Sequence, residues 1–565
     1  MEPTPQTLAR LAAGAARHAS RDAAARARLA LETARSTAAT AADWVAAATA
    51  IKRGGAEAAD VRAEETATGP LGTMRLLLIT SRCLDQVARE GKPRPRGSGP
   101  RFGLTAGDRR LVGIGALPEP GLGDAAIFGG VTAEVRCIDP GGPEAFDRAW
   151  RREAATRPAG TGVAVVLGAG NVTGLPVADA IAQIFEHGRS VIVKVHPVHA
   201  PLEPVFRRAL APLIEADVLE IVSGGADVAT SLVGDPGVTH VHLTGGAGAF
   251  DAIVWGRRGP HGPLDRPRLD KPITCELGNV TPWIVVPGHY SAAELRRQAD
   301  CIAASIVNNT SFNCIATKCI VTCRSWGQRE AFLAAVRARL RSVPHRPAWY
   351  PGATALWREA AEAVVPAERT APAEGTLPWV LCTGVDPTRD GTLIDREWFV
   401  PVAVEVPLDA DDTAGFCHRA LELTRRMPGS LAASVTIPRG GGDGDRHAAT
   451  QLVDHLAYGV VAINTWSALA YAAGSIPWGG FPGATLAEPA SGIGWVHDPL
   501  LLPLVHNTIL TASLTNWLVP AWFPWHRGGE RLAGGVVTMY TALANGRSPL
   551  PALVGMLPAA VGQRG

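Results

Sequence analysis

The feature that most constrains the fold is an alternation of short apolar runs with helix-like stretches between residues 160 and 256. The apolar runs are VAVVLGAG (163–170), SVIVKV (190–195), VLEIVSG (218–224) and VTHVHLTGG (238–246). Apolar strands bounded by glycine and alternating with helices form βαβ units, in which helices cover both faces of a parallel sheet. The pattern therefore predicts an α/β fold over this part of the chain.

The other parts of the chain differ in composition and in predicted structure. A second α/β series begins near residue 272 and ends near 475. Residues 5–53 are rich in alanine and predict a helical hairpin, whereas the Gly-, Pro- and Arg-rich stretch 90–125 predicts a surface loop or linker. The last 80 residues are apolar, aromatic and rich in turns, and their pattern does not place them. A chain of 565 residues is too long for one core, so we expect two to four domains.

The composition excludes several functions. The net charge is +2, without the clustered basic excess of a nucleic-acid reader. The nine cysteines show no C-x-x-C spacing, which favours reduced thiols and no metal site. The N-terminus lacks an uninterrupted apolar segment, and the longest uncharged run contains three prolines. We therefore expect a cytoplasmic protein. The chain has five lysines against 49 arginines. We therefore expect that a position which keeps a lysine has a specific use for its ammonium group.

Two residues are candidates for catalysis. Cys314 lies in the polar, loop-like run NNTSFNCIATK, where backbone N–H groups could stabilise an exposed thiolate, although a lone cysteine is more often a buried turn residue. Glu276 precedes it by 38 residues and ends the apolar segment ITCE. A carboxylate there can serve as a base that activates water, but it can equally be a capping or surface residue.

Two further residues point to a ligand at the sheet edge. Lys194 lies inside the apolar run SVIVKV, where an unpaired ammonium is costly and where this chain would ordinarily use arginine. Asn171 follows the first apolar strand and so would lie at the carboxyl edge of the sheet, where open α/β folds bind ligands. The alternative for Asn171 is an ordinary turn residue.

The order of these residues resembles that of the NAD(P)-dependent aldehyde dehydrogenase superfamily between about residues 160 and 500. In that family a strand Asn, a strand Lys, a T-G-S turn, an E-L-G-G segment, the nucleophilic Cys, an E-x-F-x-P-V segment and a W/F-G-G-F segment follow one another. The matching residues here are Asn171, Lys194, Thr244-Gly245-Gly246, Glu276-Leu277-Gly278-Asn279, Cys314, Glu397-Trp398-Phe399-Val400-Pro401-Val402 and Trp478-Gly479-Gly480-Phe481.

The resemblance implies an α/β, aldehyde dehydrogenase-like fold with a Rossmann-like cofactor domain, an α/β catalytic domain and an oligomerisation or C-terminal extension. The expected boundaries are 1–125 for the N-terminal helical region and linker and 126–275 for the cofactor domain, which shares part of the N-terminal region. The catalytic domain would span 276–475. Residues 476–565 would return to the cofactor domain and add the apolar aromatic extension.

The resemblance also implies roles. Cys314 would attack the aldehyde carbonyl, the Asn171 amide and the Cys314 N–H would hold the oxyanion, and Glu276 would deprotonate the water that hydrolyses the thioester. Lys194 would bind the adenosine ribose, Glu397 would bind the nicotinamide ribose, and Phe399 would pack on the cofactor. The full set expected to bind the cofactor is Lys194, His196, Thr244, Gly245, Gly246, Leu277, Glu397 and Phe399.

The chain departs from the family pattern at several points. Gly246 stands where the turn usually has serine, and Phe250 stands where it has a distal glycine. Pro197 occupies the position of a glutamate that grips the ribose 2′-hydroxyl in NAD-preferring members. We therefore expect NAD or NADP without preferring one. The nucleophile loop reads S-F-N-C rather than G-Q-x-C, which indicates a divergent branch.

Two other functions stay open at this stage. An acyl-CoA or acyl-thioester reductase would use the same cysteine in the reverse direction, but such branches often lack the glutamate that Glu276 matches. A structural or interaction subunit without activity would have no need to retain Cys314, Glu276, Asn171 and Lys194 together.

The substrate and partners are the least constrained. The aromatic residues near the C-terminus could wall a tunnel for a large apolar aldehyde, lie on a membrane surface, or simply pack against the fold or another subunit. These residues are Trp517, Trp522, Phe523 and Trp525. By family habit we expect a homodimer or homotetramer formed by sheet augmentation. No nucleic-acid partner is expected.

Overall fold

The computed structural model describes residues 4–52, 58–256, 266–363, 368–369, 374–516 and 519–561. In these ranges the helices are α1 (Pro5–Ala19), α2 (Ala23–Ile51), α3 (Ala59–Thr66), α4 (Gly72–Glu90), α5 (Asp124–Ile127), α6 (Pro143–Thr156), α7 (Leu175–Phe185), α8 (Glu203–Ala209), α9 (Ala211–Glu215), α10 (Ala226–Gly234), α11 (Ala247–Val254), α12 (Ala292–Val307), α13 (Arg329–Arg341), α14 (Ala353–Ala363), α15 (Thr413–Arg426), α16 (Asp443–His455), α17 (Ala468–Ala473), α18 (Gly529–Ala544) and α19 (Leu550–Val561).

The strands of the same ranges are β1 (Arg96–Ala106), β2 (Arg109–Leu117), β3 (Thr132–Ile138), β4 (Val163–Leu167), β5 (Ser190–Val195), β6 (Leu219–Ser223), β7 (His240–Thr244), β8 (Ile273–Glu276), β9 (Thr281–Val285), β10 (Thr317–Cys323), β11 (Arg346–Pro347), β12 (Glu368–Arg369), β13 (Thr376–Leu377), β14 (Val380–Cys382), β15 (Val402–Leu408), β16 (Ala432–Thr436), β17 (Val460–Ile463), β18 (Gly492–Ile493) and β19 (Val505–Thr511).

The first apolar series forms a sheet of six strands in the described part of the chain, in the order β18-β8-β7-β4-β5-β6. Strands β4 to β8 are parallel, and β18 joins β8 in the antiparallel sense. All residues of β4, β5 and β7 are buried, as expected for parallel strands covered by helices on both faces. The predicted α/β architecture is confirmed here.

The second series forms a sheet of eleven strands among the described residues, in the order β1-β2-β3-β19-β17-β16-β9-β10-β15-β14-β12. Its centre, from β19 to β14, is parallel. Strands β1, β2 and β3 extend one side in the antiparallel sense. Because β3 (132–138) belongs to this larger sheet, the six-stranded sheet begins at Val163, which differs from the expected boundary at 126.

The prediction of a loop or linker over 90–125 is wrong, because β1 and β2 form a hairpin there. Residues Val112, Ile114 and Ala116 of β2 are fully buried and give the hairpin an apolar face. Several of the glycines, prolines and arginines that suggested a loop lie in β1, an outer strand with exposed positions and register irregularities. Such residues are tolerated in an edge strand, which has solvent on one side.

The predicted N-terminal helices are present as α1 and α2, each capped by a side chain, Thr4 and Asp22 respectively. Helix α1 packs against β4 and β5, whereas α2 packs against α4, α8 and α18, so the two helices belong to different layers instead of forming the expected hairpin. Helix α18 joins the N-terminal helices, and α19 packs against α18. No helix in the described ranges is both long and apolar enough to cross a bilayer. Trp517 lies outside the described residues.

Candidate active site

Four of the predicted residues lie at one edge of the six-stranded sheet. Lys194 is paired in register with Leu167, the last residue of β4, and Thr244 is paired with Glu276. Asn171 follows β4 in the next loop. Because these strands are parallel and adjacent, their carboxyl ends meet at the same edge, which is where ligands bind in open α/β folds.

The central contact of the site joins Cys314 to Glu276. The Cys314 thiol donates to Glu276 Oε1 at 3.1 Å, and Trp478 Nε1 donates to Glu276 Oε2 at 2.8 Å. Glu276 is 2 % exposed, whereas Cys314 is half-buried. The carboxylate is thus held by one donor on each oxygen and faces the sulfur directly. The other eight cysteines are buried, as their apolar contexts predicted.

Burial controls the protonation of both groups. It raises the pKa of Glu276 to about 7, while the hydrogen bonds from Cys314 and Trp478 act in the opposite direction. Burial, and next the negative charge of Glu276, raise the pKa of the Cys314 thiol well above its ordinary value. Both effects favour a protonated thiol over the exposed, stabilised thiolate that the sequence suggested. The sulfur faces a carboxylate that can act as a base.

The loop that carries Cys314 connects α12 to β10. Helix α12 begins with a capping box, in which Ser291 and Glu294 exchange hydrogen bonds with each other's backbone. Asn171 Nδ2 donates to the carbonyl of Phe312 at 3.2 Å. The amide expected to hold the oxyanion therefore lies against the backbone two residues before the nucleophile.

Lys194 and the glycine turn form the open side of the site. In the described part of the chain, no hydrogen bond or ion pair engages the Lys194 ammonium, and burial lowers its pKa. A Cβ added at Gly246 or Gly248 would meet nothing within 4 Å, so a ligand could approach the backbone there. The Thr244 hydroxyl points inward instead and donates to Asp179 at 2.8 Å.

The remaining cofactor candidates lie deeper. A Cβ on Gly278 would stand 2.0 Å from Glu397 Oε2, so only glycine lets Glu397 approach the strand end next to Leu277. Burial raises the pKa of Glu397 to about 8, against the charge of Lys318. The rings of Phe399 and His196 both contact Tyr350, with centroids 5.7 and 5.9 Å apart.

These features fit a nicotinamide dinucleotide. Among the described residues, Glu397 Oε1 is buried without a hydrogen-bond partner and the Lys194 ammonium has none either. The turn at Gly246 leaves open space beside the backbone. A ribose hydroxyl can donate to a buried carboxylate, and an ammonium can donate to a ribose oxygen. The Thr244 side chain is the one predicted group that the structure turns away from such a ligand.

A cavity of about 630 Å³ opens onto Cys314, Glu276 and Asn171. Its walls are mostly apolar and come from α7, from α17 and from the C-terminal segment 519–561. Trp522 and Phe523 line it, and the Trp522 ring contacts that of Trp466 at 5.2 Å. Trp522 and Phe523 therefore line the cavity that opens onto the nucleophile, whereas Trp525 packs under Arg339.

Sequence reasoning missed several residues of the site. Trp478 belongs to a motif quoted above, but its donation to Glu276 needs the tertiary structure. Tyr471 and His497 line the same cavity and carried no sequence signal. Lys52 and Lys318 contact the nucleophile loop, and the scarcity of lysine was the signal that could have found them.

The chain is similar to known proteins both in sequence family and in fold. The aldehyde dehydrogenase family model matches residues 132–355. No curated protein sequence matches the chain. Among solved structures, the NAD-dependent aldehyde dehydrogenase from Sinorhizobium meliloti is 16% identical with a TM-score of 0.57, covering 91% of this chain and 88% of its own. The glyceraldehyde-3-phosphate dehydrogenase from Methanocaldococcus jannaschii, complexed with NADP, is 12% identical with a TM-score of 0.56, covering 90% and 94%.

Residues 132–355 match the aldehyde dehydrogenase family model, and the chain has the fold of the solved aldehyde dehydrogenases. The predicted resemblance, the fold class and the enzyme class, an NAD(P)-dependent aldehyde dehydrogenase, are thereby confirmed. The expected cofactors, NAD or NADP, are those of the solved neighbours.

Proposed function

We propose that this protein oxidises an apolar aldehyde to a carboxylate through a thioester on Cys314, with Glu276 as the general base. The observation that carries the proposal is the 3.1 Å contact between the Cys314 thiol and Glu276, at the mouth of an apolar cavity. The distance lies within the reach of a nucleophile and its base.

The first step is attack on the aldehyde. Glu276 accepts the thiol proton as Cys314 Sγ forms a bond to the carbonyl carbon, and the oxygen becomes an oxyanion. The Asn171 amide, which donates to the Phe312 carbonyl, would turn to the oxyanion. A carboxylate whose conjugate acid has a pKa of about 7 can take this proton and release it near neutral pH.

NAD(P), when bound, would supply the oxidant by accepting a hydride from the carbon bonded to sulfur. Lys194 and the backbone at Gly245 and Gly246 would hold the nucleotide, with Glu397 and Phe399 at its reactive end. Water would then cleave the thioester that remains on Cys314. Glu276 takes the water proton and the thiolate leaves, so one aldehyde, one water and one oxidised cofactor yield one carboxylic acid, one reduced cofactor and one proton.

Transfer of the acyl group to CoA remains the second candidate. Glu276 favours hydrolysis, because it is buried beside the sulfur where a water must be deprotonated. The two functions separate in one assay of the purified protein. We expect aldehyde-dependent reduction of NAD or NADP without CoA, and turnover that requires CoA would establish the alternative.

The cavity supports a large apolar substrate. Its volume of about 630 Å³ is in the range of pockets that enclose whole ligands. Burial of each methylene is worth about 0.8 kcal/mol, so kcat/KM should rise about fourfold for each added methylene until the cavity is full.

A panel of straight-chain aldehydes tests this substrate class, with a blocking variant on α18. Ala533 lines the cavity, whereas Ala542 on the same helix does not. Ala533→Phe should stop the rise of kcat/KM at a shorter chain and leave the shortest aldehydes unchanged, and Ala542→Phe should behave as wild type. A flat profile for the unaltered protein would contradict an apolar substrate.

We also propose that α19 meets a lipid surface from which the aldehyde enters. Leu550, Val554 and Leu557 are 64%, 63% and 57% exposed and share one face of a helix without charged residues. Leu557 also lines the cavity, so this face reaches its rim. Replacing all three by serine should abolish cosedimentation with phosphatidylcholine vesicles. If the triple serine variant lost a dimer instead, the exposed face of α19 would be a contact with a second copy of the chain.

We propose that subunits pair through β1, which lies at the end of its sheet.

A further inference from the structure

Two of the five lysines are buried beside the nucleophile. Lys52 caps the C-terminal end of α2 and Lys318 lies in β10. Each is only 4% exposed. Both ammonium groups contact the loop between α12 and Cys314. Buried lysine is costly unless it is paired, so both positions need a specific explanation.

That loop contains three consecutive residues in the left-handed region. Asn309, Thr310 and Ser311 have φ values of 51°, 56° and 64°. Such backbone costs about 1–3 kcal/mol for each non-glycine residue and persists only where the surroundings enforce it. Thr310 is β-branched, which makes its conformation the least favourable of the three.

Lys52 holds the first of these residues. Its Nζ donates to Asn309 Oδ1 at 2.5 Å and forms ion pairs with Glu64 and Glu65. Glu64 Oε2 accepts from the Asn309 backbone N–H at 3.0 Å. Asn309 Nδ2 then donates to the carbonyls of Asn171 and Phe312 at 2.8 and 2.9 Å. One side chain thus joins the Lys52 cluster to the loop carrying the oxyanion donor.

Lys318 holds the last of them. Its Nζ donates to Ser311 Oγ at 2.6 Å and to the carbonyl of Val400 at 2.8 Å. Lys318 follows Cys314 by four residues on the strand that begins at Thr317. The left-handed segment is therefore fixed at both ends by buried ammonium groups, one from the N-terminal helices and one from the catalytic sheet.

We propose that Lys52 and Lys318 are positioning residues that hold 309–311 in the left-handed conformation and so place Cys314 against Glu276 and Asn171. Among the residues that the structure describes, neither ammonium contacts the sulfur or the base, so each acts through the loop. The inference rests on the proposed function for its kinetic readout, but reactivity of the thiol tests it without any turnover.

The experiment compares Lys52→Met and Lys318→Met with Lys271→Met. Lys271 is a matched control, because it donates to the carbonyls of Val233 and Asp235 away from the site. For each variant we would measure kcat, aldehyde KM, cofactor Kd, the unfolding midpoint, and the pH profile of Cys314 alkylation by iodoacetamide.

We expect kcat to fall at least tenfold in Lys52→Met and Lys318→Met. Cofactor Kd should stay within twofold of wild type in Lys52→Met; Lys318→Met also removes the positive charge that acts on Glu397, so its cofactor Kd is not a criterion. The alkylation midpoint should move down in both variants, towards the ordinary thiol pKa of about 8.5, because a released loop takes Cys314 away from Glu276. Lys271→Met should change neither quantity. Folded Lys52→Met and Lys318→Met proteins with unchanged kcat and alkylation profile would overturn the proposal.

A rescue variant separates positioning from general destabilisation. Glycine adopts positive φ without strain, so Thr310→Gly in the Lys52→Met background should restore at least half of the lost kcat. It also provides a foldable protein if Lys52→Met alone does not fold. No recovery in a folded double variant would contradict the conformational role. If the wild type oxidises no aldehyde, the proposed function fails, and the alkylation profiles still decide this inference.

Discussion

The nucleophile side and the cofactor side of the site differ in how many of their polar groups already have hydrogen-bond partners. Around Cys314 and Glu276, each carboxylate oxygen has a donor, and the adjoining loop is tied to two lysines. On the cofactor side, Lys194 has no partner in the part of the chain that the structure describes, and Gly246 faces open space. The groups on the nucleophile side thus form hydrogen bonds with one another. The groups on the cofactor side would find their hydrogen-bond partners on a ligand.

This difference teaches where substitutions should act. A change on the nucleophile side leaves a buried polar group without its partner, which alters the chemistry and the local structure together. A change on the cofactor side removes a contact made only to the ligand. We therefore expect the first kind of change to lower kcat and the second to raise the cofactor KM.

The strongest test of the comparison removes the nucleophile. Cys314→Ala should lower aldehyde oxidation by roughly 10⁴-fold or more, because no covalent intermediate can form. Cofactor Kd should stay near that of wild type, which fluorescence titration would measure. Cys319→Ala, at a fully buried cysteine of β10, is the control. Normal turnover by Cys314→Ala would show that the nucleophile assignment is wrong.

The base should give the next largest effect. Glu276→Gln keeps the shape but cannot take a proton, so steady-state turnover should fall roughly 10²–10⁴-fold. If Cys314 can still attack, one burst of reduced cofactor should precede a stall, with an acyl mass on the Cys314 peptide. Absence of both burst and adduct would show that Glu276 first deprotonates the thiol, as their 3.1 Å contact suggests. Turnover sustained by CoA in this variant would favour acyl transfer.

The cofactor side is tested by Lys194→Ala. Loss of a charged hydrogen bond costs about 1.5–3 kcal/mol, so cofactor KM should rise roughly tenfold or more with a smaller change in aldehyde KM. Lys194→Arg should not restore it, because the guanidinium is wider and planar. Steady-state kinetics with NAD and NADP measures both. An unchanged cofactor KM would mean that this strand does not line the nucleotide site.

The smallest expected effect concerns pH. Because burial raises the pKa of Glu276 to about 7, the base is protonated below that pH and free above it. The kcat should therefore rise about tenfold per pH unit below 7 and level off above about 8. Trp478→Phe removes a hydrogen bond that lowers this pKa, so the rise of kcat should occur at higher pH. If Glu276→Gln kept the same rise of kcat with pH, the rise would belong to a group other than Glu276.

The sequence predicted the six-stranded sheet better than the periphery. Its buried parallel strands are confirmed. Lys194, Asn171 and Glu276 lie at its carboxyl edge and Cys314 contacts Glu276, while the roles of these four residues stay predictions. The hairpin 96–117 was missed, because its apolar alternation is confined to β2 and the composition of the outer strand is that of a loop. The thiol was also misjudged, since loop polarity does not reveal the burial of Cys314 beside two carboxylates.

The sequence by itself determined the alternation of strands and helices and the residue types at the sheet edge, because periodicity and strand ends are local properties. Only the tertiary structure decided that Lys52 meets Asn309, 257 residues away along the chain. It also decided that 519–561 lines the cavity. Such contacts depend on how distant elements pack, and a buried lysine or an apolar helix is compatible with many partners until the fold selects one.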